Sequence, residues 1–305
     1  MPMLALLILF WLNFATAKPS LLAPTIEQWQ VGEPDKEPVS VSGLFPNTFM
    51  DPTCSEEQKS KITSAWNGAK KLIEAQTSFD SSHDSVPHKT FFGFDWNVKG
   101  DTEAEYRTTK IVENNERAGK LFKGEVPDNE QFNFYCKDIE DNCDESETAA
   151  ISWYKKKAGN QGFIQTTVFC PDFFDEVDNL EELIEQYKDK PDEQVKLELF
   201  EMTDAITFLH ETYHYRVVHL NKPAILDYDS KAGDYDTGSS EDNWYLARDK
   251  GTIETSVNAD SYVFVALVIY LQQTFKTSNI ALPEDMRGKN PSERESLGVS
   301  WLGRR

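Results

Sequence analysis

The pentapeptide His210-Glu211-Thr212-Tyr213-His214 constrains this chain more than any other stretch, because it lies within Asp204 to Val218, which reads as one helix. Two histidines four apart on a helix differ by about 40° in heading and about 6 Å in height, so both imidazoles can reach one zinc ion. Glu211 then stands beside the ion, placed to take a proton from a zinc-activated water, as a metalloprotease requires. The flanks Ala205-Ile206-Thr207-Phe208-Leu209 and Tyr215-Arg216-Val217-Val218 are apolar enough to bury at least half of the helix. Buried helices rarely carry two histidines and a glutamate without partners for them. The chain has five histidines, and three fall between 210 and 219. The bland alternative is a polar helix face that holds no ligand.

A catalytic zinc takes three protein ligands and keeps a fourth position for water. His219 follows His214 by five residues, which on one continuous helix turns it about 140° away, and the glycine turn of the longer H-E-x-x-H-x-x-G-x-x-H pattern is missing. Glu254 stands near the start of the next expected helix, where a glutamate ligand comes from in thermolysin-like enzymes.

The amino terminus predicts where this chemistry takes place. Leu4 to Leu12 is an apolar run that ends in Ala15-Thr16-Ala17, a small-x-small cleavage signal, so residues 1–17 read as a secretory signal peptide. That run is too short for a permanent membrane anchor, and the longest later one, Tyr262 to Leu271, covers about half of a bilayer core. A secreted, extracellular protein follows. Its four cysteines, Cys54, Cys136, Cys143 and Cys170, form an even set that favours two disulfides, and spacing alone permits three pairings.

With 31 basic and 52 acidic residues the net charge is −21, which disfavours nucleic acid and anionic membranes as partners. The acids are dispersed in clusters such as Asp138-Ile139-Glu140-Asp141, a pattern that serves solubility. Asn-x-Ser/Thr sequons are absent, so N-glycosylation is not expected.

Residues 18–53 hold six prolines and read as an extended arm or pro-segment; 54–280 form the expected catalytic domain, and 281–305 a tail. Ser55-Glu56-Glu57-Gln58 fits a capping box ahead of a packing helix striped with Ile62, Ala65, Trp66, Ala69, Leu72 and Ile73. A helix is expected over 102–122 and an acidic one over 176–187, with strands over 132–136 and 163–170. The second strand precedes the histidine helix and is expected to be the sheet edge along which a peptide lies. A polar loop, 221–243, and a helix, Thr252 to Phe275, complete the expected order.

Gly238-Ser239-Ser240-Glu241-Asp242-Asn243-Trp244-Tyr245 resembles the G-T-x-x-D-x-x-Y signature of the deuterolysin-like aspzincins, secreted zinc endopeptidases found largely in fungi, with Ser239 in place of threonine. Asn258-Ala259-Asp260-Ser261-Tyr262 resembles the N-A-D-x-Y element that follows in that family. The resemblance covers roughly 195–275 and reaches loosely back to Cys54.

It implies a single α+β, zincin-like metallopeptidase domain with one Zn2+ per chain, held by His210, His214 and Asp242. Glu211 becomes the general base and Tyr245 the donor to the oxyanion. Asp260 and Val263 border the substrate pocket; lysine-specific members have a glutamate at the place of Val263, so strict lysine specificity is not expected. The family's cysteine order implies Cys54–Cys136 and Cys143–Cys170. The implied partners are protein or peptide substrates, acted on by a monomer.

The chain departs from the pattern twice. The stretch between His214 and Asp242 is long and contains Asp227, Asp229, Asp234 and Asp236, which with Asp260 are rival ligands if they do not fold away from the metal, and Leu246 stands where a glycine commonly follows the signature tyrosine. The main rival function is a catalytically inactive secreted zinc-binding or cell-surface protein on the same fold, against which the intact Glu211 argues. A third is a hydrolase acting on something other than protein.

Overall fold

A computed structural model describes residues 39–40, 43–78, 86–93, 102–139, 143, 148–160, 162–220, 223–228 and 238–277. The expected signal peptide, residues 18–38 of the arm and the tail 281–305 lie outside the described residues. All described residues belong to one unit, Glu33–Arg305.

Five strands form one sheet: β1 (Val39–Ser40), β2 (Thr48–Met50), β3 (Gln131–Tyr135), β4 (Ala150–Lys156) and β5 (Phe163–Phe169). Their order is β1-β2-β3-β5-β4, with β2, β3 and β5 mutually parallel and β1 and β4 antiparallel to their neighbours. Two features depart from expectation. Strands β1 and β2 fall in the stretch expected to be an arm, and β5 is interior, so the outer edge belongs to β4 instead. Every position of β5 from Gln165 to Phe169 is buried, on both faces of the sheet, which an edge facing substrate does not require.

The helices are α1 (Glu56–Ser78), α2 (Val86–Phe92), α3 (Thr102–Phe122), α4 (Pro171–Asp175), α5 (Leu180–Tyr187), α6 (Pro191–Gln194), α7 (Asp204–Tyr213), α8 (Arg216–His219), α9 (Ser240–Thr255) and α10 (Ala259–Phe275). The protein is thus α+β, with helix predominating over a small sheet. Helix α1 starts on a reciprocal capping box: Ser55 N–H donates to Gln58 Oε1 at 2.9 Å and Gln58 N–H to Ser55 Oγ at 3.2 Å. Its apolar stripe is buried as the periodicity predicts. Helix α10 is buried from Ala259 through Ile269, which makes it the central helix.

Phe208 of α7 fastens the histidine helix to the sheet. Its ring lies 5.6 Å from Phe134 of β3 and 5.9 Å from Phe169 of β5, with Phe45 at 6.0 Å and Phe122 at 6.3 Å. Edge-to-face and offset contacts of this kind add about 0.5–1.5 kcal/mol per pair beyond area burial.

The two disulfides are Cys54–Cys136 and Cys143–Cys170. The first ties the entry of α1 to the exit of β3, and the second ties Cys143 to the end of β5.

Candidate metal centre

The helix expected to run from Asp204 to Val218 breaks after Tyr213, and long-range hydrogen bonds explain why. Tyr215 is extended (φ −67°, ψ 130°), and its hydroxyl lies 2.7 Å from Thr167 Oγ1 of β5. Gln165 Oε1, also from β5, then accepts the N–H of Arg216 at the first residue of α8, at 3.1 Å. His210 therefore sits in the last turn of α7 and His214 at its C-cap. One nitrogen of each ring and one oxygen of Glu211 lie within 4.8 Å of one another.

Each imidazole has its Nδ1 anchored. His210 Nδ1 stands 2.7 Å from Asp260 Oδ1, and His214 Nδ1 stands 3.0 Å from the carbonyl oxygen of Ile225. An Nδ1–H donated to oxygen leaves Nε2 as the free ligand nitrogen, the tautomer a metal needs. Both Nε2 atoms converge on one oxygen. Asp227 Oδ1 is 2.8 Å from that of His210 and 3.2 Å from that of His214.

Without a cation, every one of these contacts requires a proton on the ring. The two imidazoles would then both be positively charged, with ring centroids 4.9 Å apart. Burial opposes the charge, but the carboxylates of Asp260 and Asp227 outweigh it and hold His210 well above the ordinary histidine range. Burial likewise opposes charge on His214, and Asp227 raises it. Desolvation acts against the Asp227 carboxylate too, yet His214 and His210 hold its pKa well below the usual value. A single divalent ion can replace the two protons, and ligand atoms around a tetrahedral zinc are separated by roughly 3.3 Å, close to the spacing seen here. Two imidazoles with anchored Nδ1 atoms and one carboxylate therefore fit a metal ion.

Glu211 is 5% exposed, and burial raises its pKa against the opposing influence of His214 and His210. The Ser152 hydroxyl of β4 also acts to lower it. Glu211 Oε2 is buried with no hydrogen-bond partner among the described residues. Ser152 Oγ is 2.7 Å from Thr167 Oγ1, so a run of hydroxyls links half-buried β4 through β5 to the buried Tyr215.

The remaining expected residues are placed differently. Asp242, expected as the third ligand, is in the first turn of α9, where Ser239 caps it: Ser239 Oγ donates to Asp242 Oδ2 at 2.9 Å and accepts Asp242 N–H at 3.1 Å. The place beside both Nε2 atoms belongs to Asp227, an acid the pattern required to fold away. Tyr245 packs 4.8 Å from Trp244, with the Arg248 guanidinium 4.5 Å above its ring. Asp260, expected to border the substrate pocket, backs His210, and Val263, expected beside it, is fully buried within α10.

His219 is also outside the cluster: its Nε2–H donates to the carbonyl of His214 at 3.2 Å, and burial pushes its pKa down to about 4. Glu254 occupies the last turn of α9, because the helix expected from Thr252 is in fact two, broken between Thr255 and Ala259. Asp229, Asp234 and Asp236 lie outside the described residues.

Asp227 was one of several rival acids in the sequence, and nothing around it has motif spacing that would single it out. The signal was present only as an Ile-Leu-Asp run, able to pair as backbone, in an otherwise polar stretch. No protein-family model matches the chain, and no curated protein matches it at a significant level.

Proposed function

We propose that the protein is a secreted zinc-dependent endopeptidase of zincin-like architecture, similar in chemistry to the deuterolysin-like aspzincins. The observation that carries this reading is the convergence of His210 Nε2 and His214 Nε2 on Asp227 Oδ1, with the buried Glu211 alongside. His210, His214 and Asp227 would hold the ion. Zinc supplies Lewis acidity there, lowering the pKa of a water and polarising a carbonyl.

The chain's own groups divide the rest of the work. Glu211, buried beside both imidazoles, takes the proton of the attacking water and later delivers it to the leaving amine. The Glu211 Oε2, buried with no hydrogen-bond partner among the described residues, is the atom left for the water. Asp260 and the Ile225 carbonyl keep the two imidazoles turned towards the metal. An extended peptide can align along the outer edge of β4, adding its backbone to the sheet beside Glu211. Both disulfides are compatible with an extracellular protein. Among the described residues no helix is long and apolar enough to cross a membrane.

The test is zinc content and casein cleavage of wild type and Glu211→Gln. One equivalent of zinc in both, with cleavage reduced at least about a hundredfold in the variant, is expected. A wild-type protein that held zinc and cleaved neither casein nor a peptide library would overturn the enzymatic reading in favour of a metal-binding protein.

A further inference from the structure

The loop that carries Asp227 is held by the junction between α9 and α10. Leu226 N–H donates to Val257 O at 2.9 Å, and Ala259 N–H donates to Leu226 O at 3.1 Å, a parallel bridge centred on Asn258. One residue beyond the ligand, Tyr228 N–H donates to the Asn258 side-chain carbonyl Oδ1 at 3.3 Å. That same junction leads directly into Asp260, whose carboxylate anchors His210. The loop's other end supplies Ile225 O to His214. The groups that aim both imidazoles and the carboxylate facing them are thus mounted on one joint.

Asn258 is unusual for its position. It is the N-cap of α10, where an asparagine ordinarily turns its side-chain oxygen onto the N–H of the second or third helical residue, yet it makes no such bond. Its Nδ2 donates instead to Asn243 Oδ1 and Ser261 Oγ, both at 3.3 Å, and Ser261 Oγ donates to Asn243 Oδ1 at 2.8 Å. Asn243, Asn258 and Ser261 are all fully buried. With both amide hydrogens committed to that cluster, the carbonyl end has one direction left, towards the loop.

We infer that Asn258 is a positioning residue of the metal centre: its side chain forgoes the helix cap to hold the Leu226–Tyr228 backbone, and thereby the Asp227 carboxylate, against the two histidines. This rests on Asp227 being a metal ligand. Asn258 touches no ligand side chain, so its effect reaches the metal through the backbone of the loop.

The experiment measures zinc affinity by chelator competition, and the melting temperature of the zinc-free protein, for the full chain and its variants. Asn258→Ala removes the acceptor, and Tyr228→Pro removes the donor from a half-buried loop position. Both are expected to weaken zinc binding by about 10–100-fold, the range found for groups that orient ligands. Ser261→Ala touches only the far side of the amide; it is expected to lower the zinc-free melting temperature and leave affinity within about threefold of wild type. Affinities within about threefold of wild type for both Asn258→Ala and Tyr228→Pro would overturn the inference while leaving the metal site standing. So would an equal loss in Ser261→Ala, which marks general loosening. A folded wild type that takes up no zinc removes the metal reading and this inference with it.

Discussion

Asp260 Oδ1 stands 2.7 Å from His210 Nδ1, and the side chain that makes this contact is only 10% exposed. A buried carboxylate fixes both the tautomer and the heading of the ring, and raises the basicity of the opposite nitrogen. Asp260→Asn should therefore weaken zinc binding by about 10–100-fold. The loss should appear in chelator competition on folded protein. A variant that kept full affinity and changed only its cleavage preference would return Asp260 to the substrate pocket.

The competing assignments of the third ligand give opposite results in two variants. Asp227 Oδ1 faces both Nε2 atoms, whereas Asp242 is engaged with Ser239 at the start of α9. After dialysis Asp227→Ala should retain little zinc. Asp242→Ala should retain a full equivalent and lose about 0.5–2 kcal/mol of stability, as expected when the first turn of a helix loses an interaction with its cap. The reverse pattern in metal analysis would restore Asp242 as the ligand.

Glu130 gives a test of pH dependence away from the metal. Its Oε2 accepts Gln165 Nε2–H at 2.6 Å, it is 4% exposed, and burial raises its pKa although Gln165 and Arg216 pull the other way. In the unfolded chain a glutamate titrates near 4.3. Between that value and its raised folded value the native state holds more protons, so stability falls as pH rises through this window and is flat above it. Glu130→Gln carries no such proton. Its stability relative to wild type should increase from about pH 4 towards neutrality, by about 1.4 kcal/mol for each unit by which the folded pKa is raised. Urea denaturation at several pH values reads this directly, and a difference that stayed constant would sink the idea.

What the sequence disclosed and what it hid follow from the range of the interactions involved. The histidine helix, the Ser55–Gln58 capping box and strands β3 and β5 are set by neighbours within a few residues, and all were legible. Strand β4 was not, because its side chains are half-buried or exposed throughout and show no alternation. The break at Tyr215 depends on Thr167 and Gln165, which are 48 and 51 residues away in sequence from the residues they hold. Asp227 reaches the histidines through backbone pairing of Leu226 with Val257 and Ala259, groups that carry no residue identity at all. Motif resemblance pointed to Asp242 because it reads side chains; the fold brings Asp227 beside the histidines through main-chain hydrogen bonds.

Gly68 of α1 tests how closely the metal helix must be packed. A Cβ built at this position would lie 2.6 Å from the Cβ of Ala205 in α7, so neither atom has a flexible end that could move aside. Two small residues here let the helices approach, and α7 carries His210, Glu211 and His214 one to three turns further along. Gly68→Ala improves intrinsic helix propensity by roughly 1 kcal/mol, whereas overpacking a tight contact costs about 1–3 kcal/mol. The steric effect should win, because the clash is between two backbone-fixed atoms. We expect a net loss of about 1–2 kcal/mol in denaturant unfolding, together with weaker zinc binding as α7 is pushed away from α1. Replacing Ala205 by glycine in the same chain should relieve the clash and restore zinc affinity, although the added helical glycine keeps stability low. If Gly68→Ala were as stable as wild type and bound zinc equally well, the contact would not position α7, and the orientation of the histidines would have to be set by the sheet side through Phe208.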